Sequence, residues 1–225
     1  MRTNAERSGH PGYPGHPGHP KREKYLLFWG HAPRRDGTLG ASCLSQWWPS
    51  PFTADGVEYA TAEHWMMAGK ARLFGDERAE RAVLEASNPA LAKKAGRLVR
   101  DFDEAVWERE RLGIVVEGSV HKFGQDAALR GFLLATGDRI LVEASPMDRI
   151  WGIGLASDDE RARDPARWRG LNLLGVALME ARERLRTGAS TGTGASTGTR
   201  AGTGSVAAAP GSAGSPGLAG DVDDQ

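Results

Sequence analysis

Two low-complexity ends confine any folded structure to the middle of this 225-residue chain. Residues 9–20 read GHPGYPGHPGHP, a run in which proline and glycine oppose both helix and sheet. From Thr187 onward the chain is rich in Gly, Ala, Ser and Thr and has no aromatic residue, so it cannot bury enough apolar surface to offset backbone entropy. We predict disordered tails over 1–22 and 187–225, and one domain over 23–186 that holds all seven tryptophans.

Charge and hydropathy exclude several classes of protein. Lys plus Arg and Asp plus Glu number 29 each, so no strong general attraction to nucleic acid or membranes is expected. Apolar runs such as LLFW at 26–29 are too short for a membrane span, and the polar N-terminus lacks the apolar segment of a signal peptide. We therefore expect a cytoplasmic enzyme or binding protein with a small-molecule partner. Its oligomeric state is not readable.

The pattern of apolar residues and breakers predicts mostly helix with a few short strands, a mainly α (α+β) domain. Strands are predicted at 25–29 and 139–144, and a short extended piece at 57–60. Lys122-Phe123-Gly124-Gln125 is interpreted as a connection between two helices. The predicted helices cover residues 62–74, 76–87, 89–100, 103–120, 126–136 and 171–186.

The run EHWMMAGK at 63–70 carries the clearest candidate chemistry. On a helix, Glu63 and Lys70 lie only about 20° apart, within the same stripe as Met66 and Met67. Three interpretations stay open: a solvent-facing helix, a buried structural ion pair, or the floor of a pocket that presents an acid and an amine. In the third, desolvation lowers the pKa of the lysine and favours its nucleophilic form.

A second candidate segment follows the predicted strand at 139–144. Asp148 and Trp151 offer a carboxylate and a flat aromatic face, and Gly152 and Gly154 allow backbone to approach a ligand closely. An ordinary turn explains the two glycines equally well.

The remaining polar candidates have simpler explanations when taken alone. Lys122 suits a helix C-terminus, and Asn172 suits a cap or a packing position near the last helix. His64 and His121 have no second histidine at metal-ligand spacing, and Cys43 is the single cysteine. We therefore expect no metal and no cofactor.

Several separated motifs together resemble the NADAR (YbiA-like) family. They are LSQWWPSPFTADGVEYATAEHWMMAGKARLFGD, HKFGQ, LLATGDRILVEASPMDRIWGIGL and GLNLLGVALMEAR, in that order, within about residues 25–186. The chain departs from the common family pattern at Gln46, Gly69 and Asp126, none of which is a charged candidate. The resemblance implies a compact, mainly helical domain with a small β component.

The resemblance also implies N-glycosidase activity. Family substrates include the ribosylaminopyrimidine phosphates of early riboflavin synthesis, from which cleavage releases ribose 5-phosphate. Other members bind ADP-ribose or remove it from guanine in nucleic acid. A non-catalytic ADP-ribose or nucleotide-binding module is the rival class, although such a module has no need of a desolvated acid and amine.

The candidate residues supply the groups that such a reaction needs. Lys70 is the hypothesised nucleophile, which captures the ribose as a Schiff base, and Glu63 moves its proton; alternatively, Glu63 activates a water while Lys70 acts as an electrostatic clamp. The hypothesis assigns the other sites as follows: Asp148 to sugar hydroxyls or a second acid–base role, Trp151 to stacking, Lys122 and the backbone of Gly152 and Gly154 to phosphate, and Asn172 to substrate orientation.

Overall fold

A computed structural model describes residues 25–188 of the protein. The predicted tails lie outside this range, apart from Thr187 and Gly188 at the end of the last helix. The strands are β1 (Tyr25–Phe28), β2 (Phe52–Ala54), β3 (Val57–Tyr59) and β4 (Ile140–Glu143). The α-helices are α1 (Ala62–Leu73), α2 (Glu77–Leu84), α3 (Pro89–Gly96), α4 (Glu104–Gln125), α5 (Ala127–Ala135) and α6 (Leu173–Thr187). The predicted fold class, mainly α with a small β component, is confirmed.

Side-chain caps begin most of these helices. The Thr61 hydroxyl accepts a hydrogen bond from the backbone of His64, which starts α1 where the sequence predicts it. Asn88 caps α3, and Pro89 takes its first position, where the missing N–H is not needed. The carboxylates of three aspartates cap α2, α4 and α5: Asp76, Asp103 and Asp126.

The strands form two separate two-stranded sheets. β1 and β4 are parallel, with Tyr25 opposite Ile140 and Phe28 opposite Glu143. β2 and β3 form an antiparallel hairpin whose two turn residues, Asp55 and Gly56, have φ of 51° and 78°. Positive φ at both positions is the geometry of a type I′ turn. The sequence signals this turn but not β2.

Helix α4 is longer than the sequence predicts, because it continues past Val120 to Gln125. Gly118 does not weaken it, since a Cβ there would lie 2.3 Å from Cδ1 of Trp65, so the glycine makes room for that indole. Residues 122–125 are therefore the last turn of α4 rather than a separate connection, and the interpretation of Lys122 as a residue of a helix C-terminus is confirmed.

The main hydrophobic core surrounds α4, which packs against α1, α5 and α6. Helix α6 also packs on β4, and this contact is close because a Cβ on Gly175 would lie 2.1 Å from the Leu141 carbonyl oxygen. The packing fixes α1 and the end of β4, which carry the candidate residues. Among residues 25–188, no helix has the length and apolar character to span a bilayer.

Candidate active site

Glu63 lies in the first turn of α1 and is only 2% exposed. Its backbone N–H donates to the carbonyl of Gln46 at 3.0 Å, which ties the helix to the loop before β2. The next loop residue, Trp47, donates a side-chain hydrogen bond to the Glu63 carboxylate. The carboxylate oxygen Oε1 is buried and has no hydrogen-bond partner among the described residues. A buried oxygen of this kind is available to a ligand or a proton.

The environment of Glu63 favours a carboxyl that changes charge near neutral pH. Burial raises its pKa to about 7, against the opposing effects of Lys93 and the Trp47 hydrogen bond. The nearby carboxylate of Asp148 raises the pKa further, and the cation of Arg97 lowers it. Such a group can accept and return a proton under physiological conditions.

Lys70 lies near the other end of α1 and forms no ion pair with Glu63 in the described part of the chain. Its ammonium lies 4.1 Å from the centroid of the Phe102 ring and 5.7 Å from that of Trp107. Burial, with the positive charge of Arg97, lowers its pKa. Glu63 is neither on a solvent-facing surface nor paired with Lys70, so the solvent-facing helix and the structural ion pair are wrong. The third interpretation of EHWMMAGK, the floor of a pocket, stays a prediction.

Asp148 is fixed in the loop that follows β4. Its carboxylate Oδ1 accepts the backbone N–H of Ile150 at 2.8 Å and of Trp151 at 2.7 Å. Asp148 also raises the pKa of both Glu63 and Glu143, so its charge reaches both carboxyls. The loop holds Asp148 beside the end of β4, since the carbonyl oxygens of Asp148 and Glu143 both lie within 3.0 Å of the Cβ position of Gly152.

In the predicted phosphate cradle, the Gly154 N–H is already hydrogen-bonded, and the role of Gly152 stays a prediction. The Gly154 N–H donates to the carbonyl of Asp148 at 3.0 Å and is therefore committed within the loop. A Cβ on Gly152 would lie 2.9 Å from the Glu143 carbonyl oxygen and 3.0 Å from that of Asp148. The two glycines close the loop tightly on the end of β4.

Trp151 is half-buried against the main core. Its carbonyl accepts the Leu174 N–H at 3.1 Å, which links the loop to the first turn of α6. The indole adjoins Asp148 in sequence, and its stacking role stays a prediction.

Lys122 is 2% exposed and does not face solvent, which corrects its predicted phosphate role. Its ammonium donates to the carbonyls of Cys43 and Ser45, both at 2.7 Å. Those carbonyls lie just before Trp47, so Lys122 supports the loop that holds Glu63.

Asn172 is completely buried, and the described contacts of its amide are with β4 rather than with a ligand position. Its Oδ1 accepts the Glu143 N–H at 3.0 Å, and its Nδ2 donates to the Leu141 carbonyl at 2.9 Å. Asn172 therefore positions β4, and its substrate-orienting role stays a prediction.

The structure adds Glu143, which the sequence analysis missed. Its Oε2 is buried without a partner in residues 25–188, and burial together with Asp148 and Glu63 raises its pKa to about 8. One signal could have revealed it: a glutamate that ends the apolar run ILVE, directly before the candidate loop.

Three further residues of the site were also missed. Trp47 contacts Glu63, and the ammonium of Lys93 lies 5.9 Å from the Trp47 ring centroid. Arg97, the C-cap of α3, affects the pKa of both Glu63 and Lys70. Lys93 and Arg97 lie in the last turn and at the C-cap of α3, and the sequence pattern of this helix does not distinguish it from an ordinary surface helix. Within residues 25–188, no three His, Cys, Asp or Glu side chains are grouped as a metal site.

Comparisons with known proteins agree with this fold. A family model described as the NADAR domain matches residues 27–186. An N-glycosidase of Acanthamoeba polyphaga mimivirus is 40% identical over 166 residues, which cover 72% of this chain and 96% of that protein. N-glycosidase YbiA of Escherichia coli is 33% identical over 135 residues, which cover 60% and 76% respectively. The NMR structure of E. coli YbiA aligns with a TM-score of 0.60 and 26% identity, over 79% of this chain and 94% of that one.

The fold and these similarities define an enzyme, a hydrolase that acts on N-glycosyl bonds. The chain belongs to the NADAR family.

Proposed function

We propose that this enzyme hydrolyses the bond between ribose and base in ribosylaminopyrimidine phosphates and releases ribose 5-phosphate. The observation that carries the proposal is the Glu63 carboxyl, buried beside Trp47 with one unpartnered oxygen. An unsatisfied buried carboxyl oxygen destabilises a core, so its presence calls for an explanation. Proton transfer during bond cleavage provides one, because it requires a carboxyl that can accept and donate a proton.

Cleavage of an N-glycoside develops positive, oxocarbenium-like charge on the sugar and an electron pair on the departing nitrogen. The Asp148 carboxylate is the group for the sugar side, since its charge reaches both buried glutamates. Lys70 is the proposed nucleophile, because partial burial lowers its pKa and increases the fraction of free amine.

In the covalent route, the Lys70 amine bonds to the anomeric carbon as the carbon–nitrogen bond to the base breaks. The departing nitrogen takes a proton from an acid of the site and leaves as the amine, while the lysine nitrogen loses a proton to Glu63. The sugar ring then opens to a Schiff base, and water hydrolyses the imine to return ribose 5-phosphate and free lysine. In the competing route, Glu63 takes a proton from a water that attacks the anomeric carbon directly.

Borohydride separates these two routes. It should reduce the imine and leave a stable adduct on Lys70, detected by intact mass and peptide mapping. The Lys70→Arg variant, which keeps the positive charge, should form no adduct. Full turnover without any trapped adduct would leave only the water route.

Lys93 and Arg97 are the proposed phosphate contacts in place of Lys122. Both cations act on the Glu63 carboxyl, and neither is fully buried. Lys93→Met should raise KM at least about 10-fold for the phosphorylated substrate and much less for its dephosphorylated form, because one charge-assisted contact is lost. Lys94→Met is the matched control, since Lys94 is an exposed neighbour on the same helix.

A second candidate substrate is guanine in nucleic acid that carries ADP-ribose. Trp29 favours it: this indole is 64% exposed and directly follows Phe28, the residue paired with Glu143. An exposed ring there offers a stacking surface for a second base. Incubation with both substrate classes, with products read by mass, decides between ribose 5-phosphate and ADP-ribose as the released sugar. Release of neither would contradict both proposals.

A further inference from the structure

Glu63, which is buried, and Glu143, which is half-buried, come from different elements, and each has one buried carboxyl oxygen. Oε1 of Glu63 and Oε2 of Glu143 both lack a hydrogen-bond partner among residues 25–188. The carbonyl oxygens of Glu143 and Asp148 lie 2.9 and 3.0 Å from the Cβ position of Gly152, so these two residues adjoin. The charge of Asp148 raises the pKa of both glutamates, and the charge of Glu63 raises that of Glu143. The three acids therefore belong to one site, and α1, β4 and the loop after β4 each contribute one.

We infer that Glu143 is a second catalytic carboxyl: it gives its proton to the nitrogen of the departing base, while Glu63 works as the ionised partner. This inference rests on the proposed N-glycoside cleavage and assigns its general acid.

Hydrogen bonds on both sides fix the backbone of Glu143 at the end of β4. Its N–H donates to Asn172 at 3.0 Å, and its carbonyl accepts the Ile153 N–H at 2.9 Å. Residue 143 also closes the parallel pairing with Phe28. A carboxyl on a rigid strand end keeps its position during a reaction.

The neighbours of the two glutamates determine which one carries the proton. Glu63 has the Trp47 hydrogen bond, the cations of Lys93 and Arg97, and the amide end of α1, all of which favour its ionised form. Glu143 faces the acids Asp148 and Glu63, with Lys93 as the cation that opposes them.

Burial and these two acids keep Glu143 protonated at neutral pH, since they raise its pKa to about 8. Two carboxyls with different charge states are the arrangement that glycoside cleavage uses.

The chemical step balances with these groups. As the bond between the anomeric carbon and nitrogen breaks, its electron pair stays on the nitrogen, which takes the proton from Glu143 and leaves as a neutral amine. Water supplies the oxygen and hydrogen that complete the sugar, and a proton from that water restores Glu143.

The test compares Glu143→Gln with wild-type enzyme on two substrates. The first is the ribosylaminopyrimidine phosphate, whose nitrogen must be protonated to leave. The second is 4-nitrophenyl riboside 5-phosphate, whose phenolate leaves without a proton. Glu58→Gln is the control, because Glu58 is an exposed glutamate on another strand, β3.

Glu143→Gln should lose at least about 100-fold in kcat on the N-glycoside and less than about 5-fold on the nitrophenyl substrate. Wild-type activity on the N-glycoside should fall above about pH 8 as Glu143 ionises, and the variant should lack that limb. Glu143→Asp keeps the acid but retracts it by one methylene, so it should show a smaller loss with the same substrate selectivity, even if the glutamine variant folds poorly.

Equal losses on both substrates, or no loss on the N-glycoside, would overturn the role of Glu143 while the proposed function stands. A wild-type enzyme that releases ribose 5-phosphate from neither N-glycoside nor nitrophenyl substrate would instead overturn the proposed function, and the role of Glu143 with it.

Discussion

The side chain of Asn172 holds the backbone of Glu143 in place, with Oδ1 accepting the Glu143 N–H at 3.0 Å. Asn172 itself has φ of 54°, a left-handed conformation that asparagine tolerates better than most residues. Its amide also donates to Leu141, so one buried side chain satisfies two backbone groups of β4. The start of α6 thereby sets the position of a carboxyl on the neighbouring strand.

Asn172→Ala should lower the free energy of unfolding by about 3 kcal/mol, because it leaves two buried backbone groups unpaired and strains the backbone. Asn172→Gly loses the same hydrogen bonds without the strain and should be about 1 kcal/mol more stable than the alanine variant. Urea denaturation of the three proteins checks both values. An alanine variant as stable as wild type would show that the clamp on β4 is unimportant.

The buried glutamates should make the protein less stable at alkaline pH. Folding raises the pKa of Glu63 from 4.5 to about 7 and of Glu143 to about 8, so the unfolded state binds fewer protons between these values. The free energy of unfolding therefore falls as pH rises from about 4.5 to about 8. The stabilisation is complete below that range and lost above it.

A Glu63→Gln/Glu143→Gln double variant removes this pH dependence, since glutamine resembles the protonated carboxyl. It should match wild type near pH 4 and exceed it by several kcal/mol near pH 8.5. Urea titrations at the two pH values measure the difference. Parallel pH dependence in the two proteins would mean that these carboxyls are ionised in the folded state.

The Trp47 hydrogen bond should tune the acid limb of the pH–rate profile. Trp47→Phe keeps an aromatic ring but removes the hydrogen-bond donor to Glu63. Loss of this bond disfavours the ionised carboxylate and so raises the pKa of Glu63. The pH midpoint of this acid limb should rise by about one unit, because a hydrogen bond to a charged group contributes about 1.5 kcal/mol or more. Trp48→Phe, at the neighbouring position, is the control. An unchanged limb would place the titrating group elsewhere.

Close packing at Gly152 should make it intolerant of a methyl group. Gly152→Ala places a Cβ within 3.0 Å of two carbonyl oxygens, those of Glu143 and Asp148. We expect a loss of about 2 kcal/mol in stability and at least about 10-fold in kcat, as the loop that carries Asp148 shifts. Gly113→Ala, at an α4 position with no neighbouring atom within 4 Å in the described structure, should instead stabilise by about 0.5–1 kcal/mol. Similar effects from both substitutions would contradict this account.

Local signals in the sequence predict much of the fold. Thr61 and Asn88 begin helices where expected, and Asp55-Gly56 forms the expected turn, because caps and turns depend on neighbouring residues alone. The extent of α4 could not be predicted in the same way. Gly118 reads as a weak point until Trp65, more than fifty positions away, fills the space that the missing side chain leaves.

The site was predicted only in part, for a related reason. Glu63 stands out because it is a charge within an apolar helical stripe, whereas Glu143 ends its strand and reads as a polar boundary. The backbone of Glu143 pairs with β1 and bonds the loop that follows β4, and the sequence does not reveal either contact. Lys122 shows the converse error: a lysine in HKFGQ reads as an exposed contact, but tertiary packing directs it to two buried carbonyls.

The most direct test of the account measures ribose 5-phosphate released from ribosylaminopyrimidine phosphate by wild-type, Glu63→Gln and Glu58→Gln proteins at neutral pH. Glu63 is buried and Glu58 is exposed, so the same substitution is compared in two environments. We predict release by the wild type and Glu58→Gln at similar rates, and at least about 100-fold slower release by a folded Glu63→Gln. Release by Glu63→Gln at the wild-type rate would contradict the assignment of this carboxyl to the reaction.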